Sequence, residues 1–146
     1  MTNIVKGMLA GLSATIVLSL LMLMKGAMSL LPALDPIGMV AMMMDVPMAV
    51  AWGVHLMIGA IIWGGVFALL EPHLPGGARW LKGVVFGIGA WLIMMVTMMP
   101  MAGTGFFGMQ LGMMAPVMTL VMHIVFGAVL GGVYAMLLRR GSASAI

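Results

Sequence analysis

The sequence predicts an all-α membrane protein: a four-helix bundle of two helical hairpins in parallel repeat, with both chain ends on the cytoplasmic side. Three observations lead there. Hydrophobic residues make up 64% of the chain and charged ones 6%, with a mean hydropathy of +1.27, whereas about a quarter of a soluble domain's residues are charged. Apolar runs of transmembrane length recur, and no formal charge occurs between Lys82 and Arg139, so the solvent of these segments is lipid. One phrase is also used twice. His55-x3-Gly59-Ala60 followed by Gly64-Gly65-Val66-Phe67-Ala68 returns as His123-x3-Gly127-Ala128 followed by Gly131-Gly132-Val133-Tyr134-Ala135, which points to duplication of one unit.

The first span is expected over about residues 4–24, with an alternative end at Leu31 before Pro32, Asp35 and Pro36 stop it. Lys6 ahead of an apolar run resembles a signal peptide, but no small-x-small cleavage site follows and Lys25 interrupts, so the segment reads as a retained span. In the outer loop, residues 37–44 are apolar enough to lie on the membrane as a short helix. The second span fills the stretch between Asp45 and Glu71, and residues 71–77, with two prolines and two glycines, form a turn. The third runs over about 79–100 and the fourth over about 115–138. Between them, residues 101–112 carry four glycines, Phe106, Phe107 and Gln110 without charge, and are expected to rest at the interface or against a partner. The whole is one transmembrane domain, 1–146, with repeat 1 at about 1–72 and repeat 2 at about 78–141. At this length no room remains for a soluble catalytic domain.

Cations set the orientation. Lys6, then Arg79 and Lys82, then Arg139 and Arg140 fall at the N-terminus, central loop and C-terminus, which four spans place on one side, marked cytoplasmic by its positive charge. Lys25 is the exception. Either its ammonium snorkels to the outer interface from a helix ending near Met24, or a longer helix buries it and requires an ion pair with Asp45 or Asp35.

The first half of each repeat also has a motif: Lys6-Gly7-x3-Gly11-x2-Ala14 matches Lys82-Gly83-x3-Gly87-x2-Ala90. Units of two spans enter the membrane the same way, so the halves are expected about a pseudo-two-fold axis along the membrane normal. Lipid supplies no hydrophobic drive for helices to associate, so Gly7, Gly11, Gly59, Gly83, Gly87, Gly127 and Gly131 are expected at close helix contacts. Gly59 to Gly64 is one residue looser than its counterpart, Gly127 to Gly131, and the extra Trp63 signals a local bulge or drift of the motif.

His55 and His123 are the sharpest functional candidates, because an ionisable residue inside a membrane is a functional hypothesis by default. Two imidazoles at equal depth suit a b-type haem, with the glycines one turn on admitting the macrocycle, or a single metal ion or a proton relay. Set against this, a neutral His in a bundle often only hydrogen-bonds to a neighbour, and Thr119, Tyr134 and Trp52 share its faces. The 22 methionines include one stripe of Met94, Met98 and Met101 and another of Met114, Met118 and Met122 beside His123. Thioethers suit Cu(I), with Met118 and Met122 the candidate ligands, although Met is also an ordinary apolar helix former. There is no Cys, which removes disulfides and thiolate metal sites. Ser13, Thr15, Ser19 and Ser29 lack acid–base partners and read as helix–helix hydrogen bonders. The dispersed Asp35, Asp45 and Glu71 do not make a carboxylate pair. Six scattered Lys and Arg give no basic face for nucleic acid.

Lys6-Gly7-x3-Gly11, Leu21-Met22-Leu23-Met24-Lys25, His55-x3-Gly59, Pro72-His73-Leu74-Pro75-Gly76-Gly77, Met98-Met99-Pro100-Met101-Ala102-Gly103 and Met114-Ala115-Pro116 together resemble an uncharacterised family of short bacterial four-helix membrane proteins. The resemblance implies a bacterial cytoplasmic membrane address and no activity. The expected function is non-enzymatic and without cofactor: a structural or accessory subunit contacting the bilayer and other membrane subunits or copies of itself. Thin glycine-lined spans are expected to leave little interior volume. The alternatives are a haem b or Cu(I) carrier using His55 and His123, and a small oligomeric channel or transporter. Orientation is directly testable. A cytoplasm-dependent fluorescent reporter fused after Ile146 should be bright, and a reporter active only outside the membrane should work when inserted at Gly105; the opposite pattern would reject the inside placement of both termini.

Overall fold

A computed structural model describes residues 2–143; Met1 and residues 144–146, part of the domain as read from sequence, lie outside the described residues. Among those described, every regular element is helical. Four stretches are long and apolar enough to cross a membrane: Asn3–Ala27, Met48–His73, Arg79–Met101 and Met114–Arg140. Helices suit this solvent because they satisfy every backbone N–H and C=O internally.

Helix α1 (Asn3–Ala27) starts at Thr2, whose Oγ1 accepts the Val5 N–H, and ends between the two limits expected from sequence. Helix α2 (Pro36–Met44) occupies the outer loop, capped by Asp35, which accepts the Gly38 N–H at 3.0 Å. It does not simply float on the membrane surface: Ile37, Met39 and Val40 are buried against the bundle, while Met42 and Met44 stay exposed. Alternate apolar faces explain the difference, since a helix apolar all round gains by turning one side into protein.

The second span is composite. Helix α3 (Met48–Met57) passes into a π-helical segment (Ile58–Trp63) and then α4 (Gly64–Leu70), closed by a 3-10 turn at Glu71–His73. The inserted residue therefore widens the helix where the glycine spacing is one too long. The third span, α5 (Arg79–Val96), breaks at Thr97 before a short α6 (Met98–Met101). Pro100 has no N–H for the Val96 carbonyl, and at the break the Thr97 hydroxyl donates to the Ile93 carbonyl at 2.6 Å, beside the Thr97 N–H at 3.0 Å. The outer connection forms a 3-10 segment (Phe106–Leu111) with positive φ at Gly103, Gly105, Phe107, Gly108 and Gly112, a path that needs its glycines. It folds back so that Phe107 meets Trp91 edge-on at 5.8 Å. Helix α7 (Met114–Ala143) completes the bundle.

Packing follows the glycines. Helix α1 lies on the second span and on α7, and α5 lies on α7. A methyl at Gly7 would run into the Gly64 carbonyl and the Ala68 methyl, and one at Gly11 into the Gly59 carbonyl. In the other hairpin, a methyl at Gly83 would strike the Gly127 carbonyl, at Gly87 the His123 carbonyl, and at Gly131 the Arg79 carbonyl. At Gly59 the Thr15 side chain fills the place of a Cβ. All seven glycines expected at helix contacts thus meet a facing helix. A two-fold axis would exchange the α1–α7 contact with that between the second and third spans. These two differ: α1 packs directly on α7, whereas Trp63 and Phe67 meet Phe86 through rings 5.8 and 5.3 Å apart.

Lys25 takes neither course foreseen for it. It is buried, and its ammonium donates to the Leu31 carbonyl at 3.1 Å and to the Leu34 carbonyl. The expected ion pair with Asp45 is not formed. Helix α1 stops at Ala27, so the returning loop brings two carbonyls to the ammonium, which take up two of its three N–H donors.

Two outcomes follow. Gly83→Ala forces a carbon to within 2.8 Å of the Gly131 amide nitrogen as well as against the Gly127 carbonyl, and should cost about 1–3 kcal/mol, as overpacking does. Gly89→Ala, which meets nothing within 4 Å, is the control, and equal unfolding of the two in detergent would contradict the packing. Lys25→Met abandons two carbonyl acceptors and should lower the midpoint of thermal unfolding by roughly 4–8 °C, from about 2 kcal/mol for hydrogen bonds to a charged group; an unchanged midpoint would deny the loop anchor.

Candidate functional site

Helical rise places His55, the eighth residue of α3, about 10 Å from the outer end of its span, and His123 about 13 Å from the start of α7. Both rings line one cavity of about 230 Å³, within electrostatic reach of each other. This corrects the expectation of little interior volume. Glycines draw α1 onto the second span and α5 onto α7, but the rings of Trp63, Phe67 and Phe86 hold the second and third spans apart, and a gap opens beside them. Pro36 and Val40 of α2 reach the cavity, so the Lys25-anchored loop also positions part of its wall.

The polar groups in the wall are differently disposed. His123 Nδ1 lies 2.8 Å from the Thr119 carbonyl one turn earlier. Only an N–H satisfies a carbonyl, so Nδ1 carries the proton and Nε2 of the neutral ring keeps its lone pair. The wall's threonine hydroxyls are engaged within their own helices: Thr15 donates to the Gly11 carbonyl at 2.7 Å, Thr97 to Ile93, and Thr119 to the Ala115 carbonyl at 2.9 Å. Thr119 also accepts the Trp91 indole N–H at 3.0 Å. His55 stands apart. Its Nε2 is buried and has no hydrogen-bond partner in the protein, although its ring meets Trp52 edge-on at 6.0 Å. An unsatisfied buried nitrogen costs free energy and calls for a partner.

Four thioethers join these imidazoles in the wall: Met22 from α1, Met94 from α5, Met98 from α6 and Met122 from α7. Met118, paired with Met122 as a candidate ligand on sequence grounds, is not in the wall. It sits one turn nearer the outer end, where the second core formed by Leu34, Met95 and Met99 closes around it. Met101 and Met114, the outer members of the two stripes, are exposed to the surroundings of the bundle. Met22 and Thr15 carried no site signal in the sequence, because only the crossing of α1 over the second span turns them toward the histidines.

Among the described residues no three His, Asp or Glu side chains cluster, so a hard cation would find no oxygen cage here. What the cavity leaves uncommitted is imidazole nitrogen and thioether sulfur, a soft donor set. The haem alternative loses the feature that recommended it. The Cβ positions of Gly59 and Gly127, which were to admit a macrocycle, are filled by the Thr15 side chain and the Gly83 backbone.

The profile of DUF6789, a family of unknown function, matches residues 1–144, and the chain belongs to that family. No curated protein and no solved structure matches the chain.

Proposed function

We propose that this member of DUF6789 is a non-enzymatic, multi-pass membrane protein that binds a soft metal ion, Cu(I), in the cavity between its spans. One observation carries the reading: His55, whose Nε2 is buried and has no hydrogen-bond partner, lines the same cavity as His123 and four methionines. Two features add support. The His123 ring is oriented through its other nitrogen, the arrangement that usually accompanies metal-ligating histidines, and the wall hydroxyls are engaged elsewhere, leaving nitrogen and sulfur as donors. His55 and His123 would supply the strong ligands, with Met122, Met94, Met98 and Met22 as the thioethers available to complete the set.

The accessory-subunit or homo-oligomer reading rests on a different feature. The charge-free connection between the third and fourth spans exposes Met101, Phe106 and Met113, at 73%, 67% and 73% of their full areas, an apolar edge that another subunit or a second copy could cover. Conduction through one chain has less behind it. Phe67 and Leu130 are fully buried inward of the cavity, and this packed apolar core stands between the histidines and the other end of the bundle.

Protein purified in mild detergent under reducing conditions should take up one Cu(I) per chain in competition with a chromogenic chelator. His55→Ala and His123→Ala should each weaken uptake by about 10-fold or more, and Met118→Leu should leave it unchanged. Copper remaining wholly with the chelator would end the metal reading, a Soret band would transfer the site to haem, and a stoichiometric companion chain with an empty cavity would favour the subunit.

A further inference from the structure

Methionine is concentrated at one end of this bundle. Apart from Met1, Met8, Met57 and Met136, every one of the 22 methionines lies in residues 22–48 or 94–122. These two stretches run outward from the level of the cavity and meet at the outer end, where Leu34 and Met39 pack with Met95, Met99 and Ala115. Solvent does not account for the bias. Met and Leu are equally good apolar helix formers, lipid is apolar in both leaflets, and Leu9, Leu12, Leu69, Leu70 and Leu81 fill the end that methionine avoids. What distinguishes the two side chains is the thioether, a soft donor on a flexible arm.

The sulfurs descend from the surface to the cavity. Met109 is exposed on the connection between the third and fourth spans. Beneath that connection is Met99: a Cβ added at Gly108 would sit 3.3 Å from its sulfur, and the Thr104 hydroxyl lies 3.4 Å from the same atom. Met99 and Met95 are fully buried in the second core, four residues apart on the third span, so about 6 Å of helix rise separates them. Met94 packs against that core and also lines the cavity with His55 and His123. On the other side of the histidines the packed Phe67 and Leu130 offer no such donor. We infer that Met99 and Met95 form a relay that passes Cu(I) between the outer surface and the cavity, with Met109 as the surface donor and Met94 as the receiving thioether. The relay rests on the Cu(I) reading of the cavity and supplies its route of loading. Each step is a ligand exchange in which the ion gains the next sulfur before it leaves the last, its oxidation state unchanged, and side chains with three rotatable bonds can swing across the gap. The imidazoles at the end of the route are the stronger ligands, so transfer runs downhill into the cavity.

Rate and equilibrium separate the relay from the site it serves. When full-length protein in mild detergent is mixed rapidly with the Cu(I)–bicinchoninate complex under reducing conditions, loss of the chelator's colour gives both the rate of loading and the final occupancy. Met95→Leu with Met99→Leu, a volume-conserving pair of swaps, should load several-fold more slowly than wild type yet reach the same occupancy, and each single variant should fall between the two. Leu34→Ile repacks the same core without removing sulfur, and should load at the wild-type rate. A double variant that loads as fast as wild type would overturn the relay and leave the cavity site standing. Lower final occupancy would overturn it too, by making Met95 and Met99 part of the site itself. Equal slowing by Leu34→Ile would assign the effect to core packing instead of sulfur. Wild type that takes up no Cu(I) would end both readings together.

Discussion

Close approach of helix backbones at glycine is the constraint on which the rest of this structure depends. Inside a bilayer the lipid tails are as apolar as the side chains, so helices gain by packing and not by escaping water. Gly7 and Gly11 let α1 settle on the second span, and Gly83 and Gly87 let α5 settle on α7, each against the main chain of its partner. Contacts this tight leave no freedom in rotation about the helix axis. They therefore decide which residues of each span look inward, and so which groups share the central cavity.

The cavity exists because the tight contacts are confined to particular pairs. Rings of Trp63, Phe67 and Phe86 separate the second and third spans, the π-helical segment widens the second span beside His55, and Pro100 breaks the third near its outer end. Each departure from regular helix borders the same space. π-Helical turns and broken spans are tolerated in membranes where neighbouring protein or a cavity takes over the disturbed backbone groups. Their convergence on a wall that also contains two imidazoles links the packing defects to the candidate site.

Charged groups obey the same economy of solvation at the two ends. Lys25 folds a loop over itself and finds carbonyls, while Glu71 draws in Arg79 and Lys82. One arrangement anchors the segment leading into α2, and the other ties the start of α5 to the end of the second span. In both cases an ionisable side chain near lipid organises backbone around it, since leaving it unpaired in that environment is costly.

The number and limits of the spans, the glycines at contacts and the irregularity at Trp63 were legible in the sequence, because hydropathy and residue size act locally and a glycine spacing shifted by one residue has a direct helical consequence. The two histidines were also visible as repeat-related residues at similar depth. The sequence could not say which methionines would join them. Met118 and Met122 lie on one helical stripe, yet only Met122 reaches the cavity, while Met22 arrives from a helix with no site signal. Lys25 was equally undecided, because its partners are main-chain carbonyls that every loop possesses and no residue type announces. Local solvent preference thus determined the membrane-spanning elements, whereas the cavity, its donor set and the anchoring of Lys25 were decided by how one helix crosses another, a relation between distant residues that side-chain pattern along the chain does not encode.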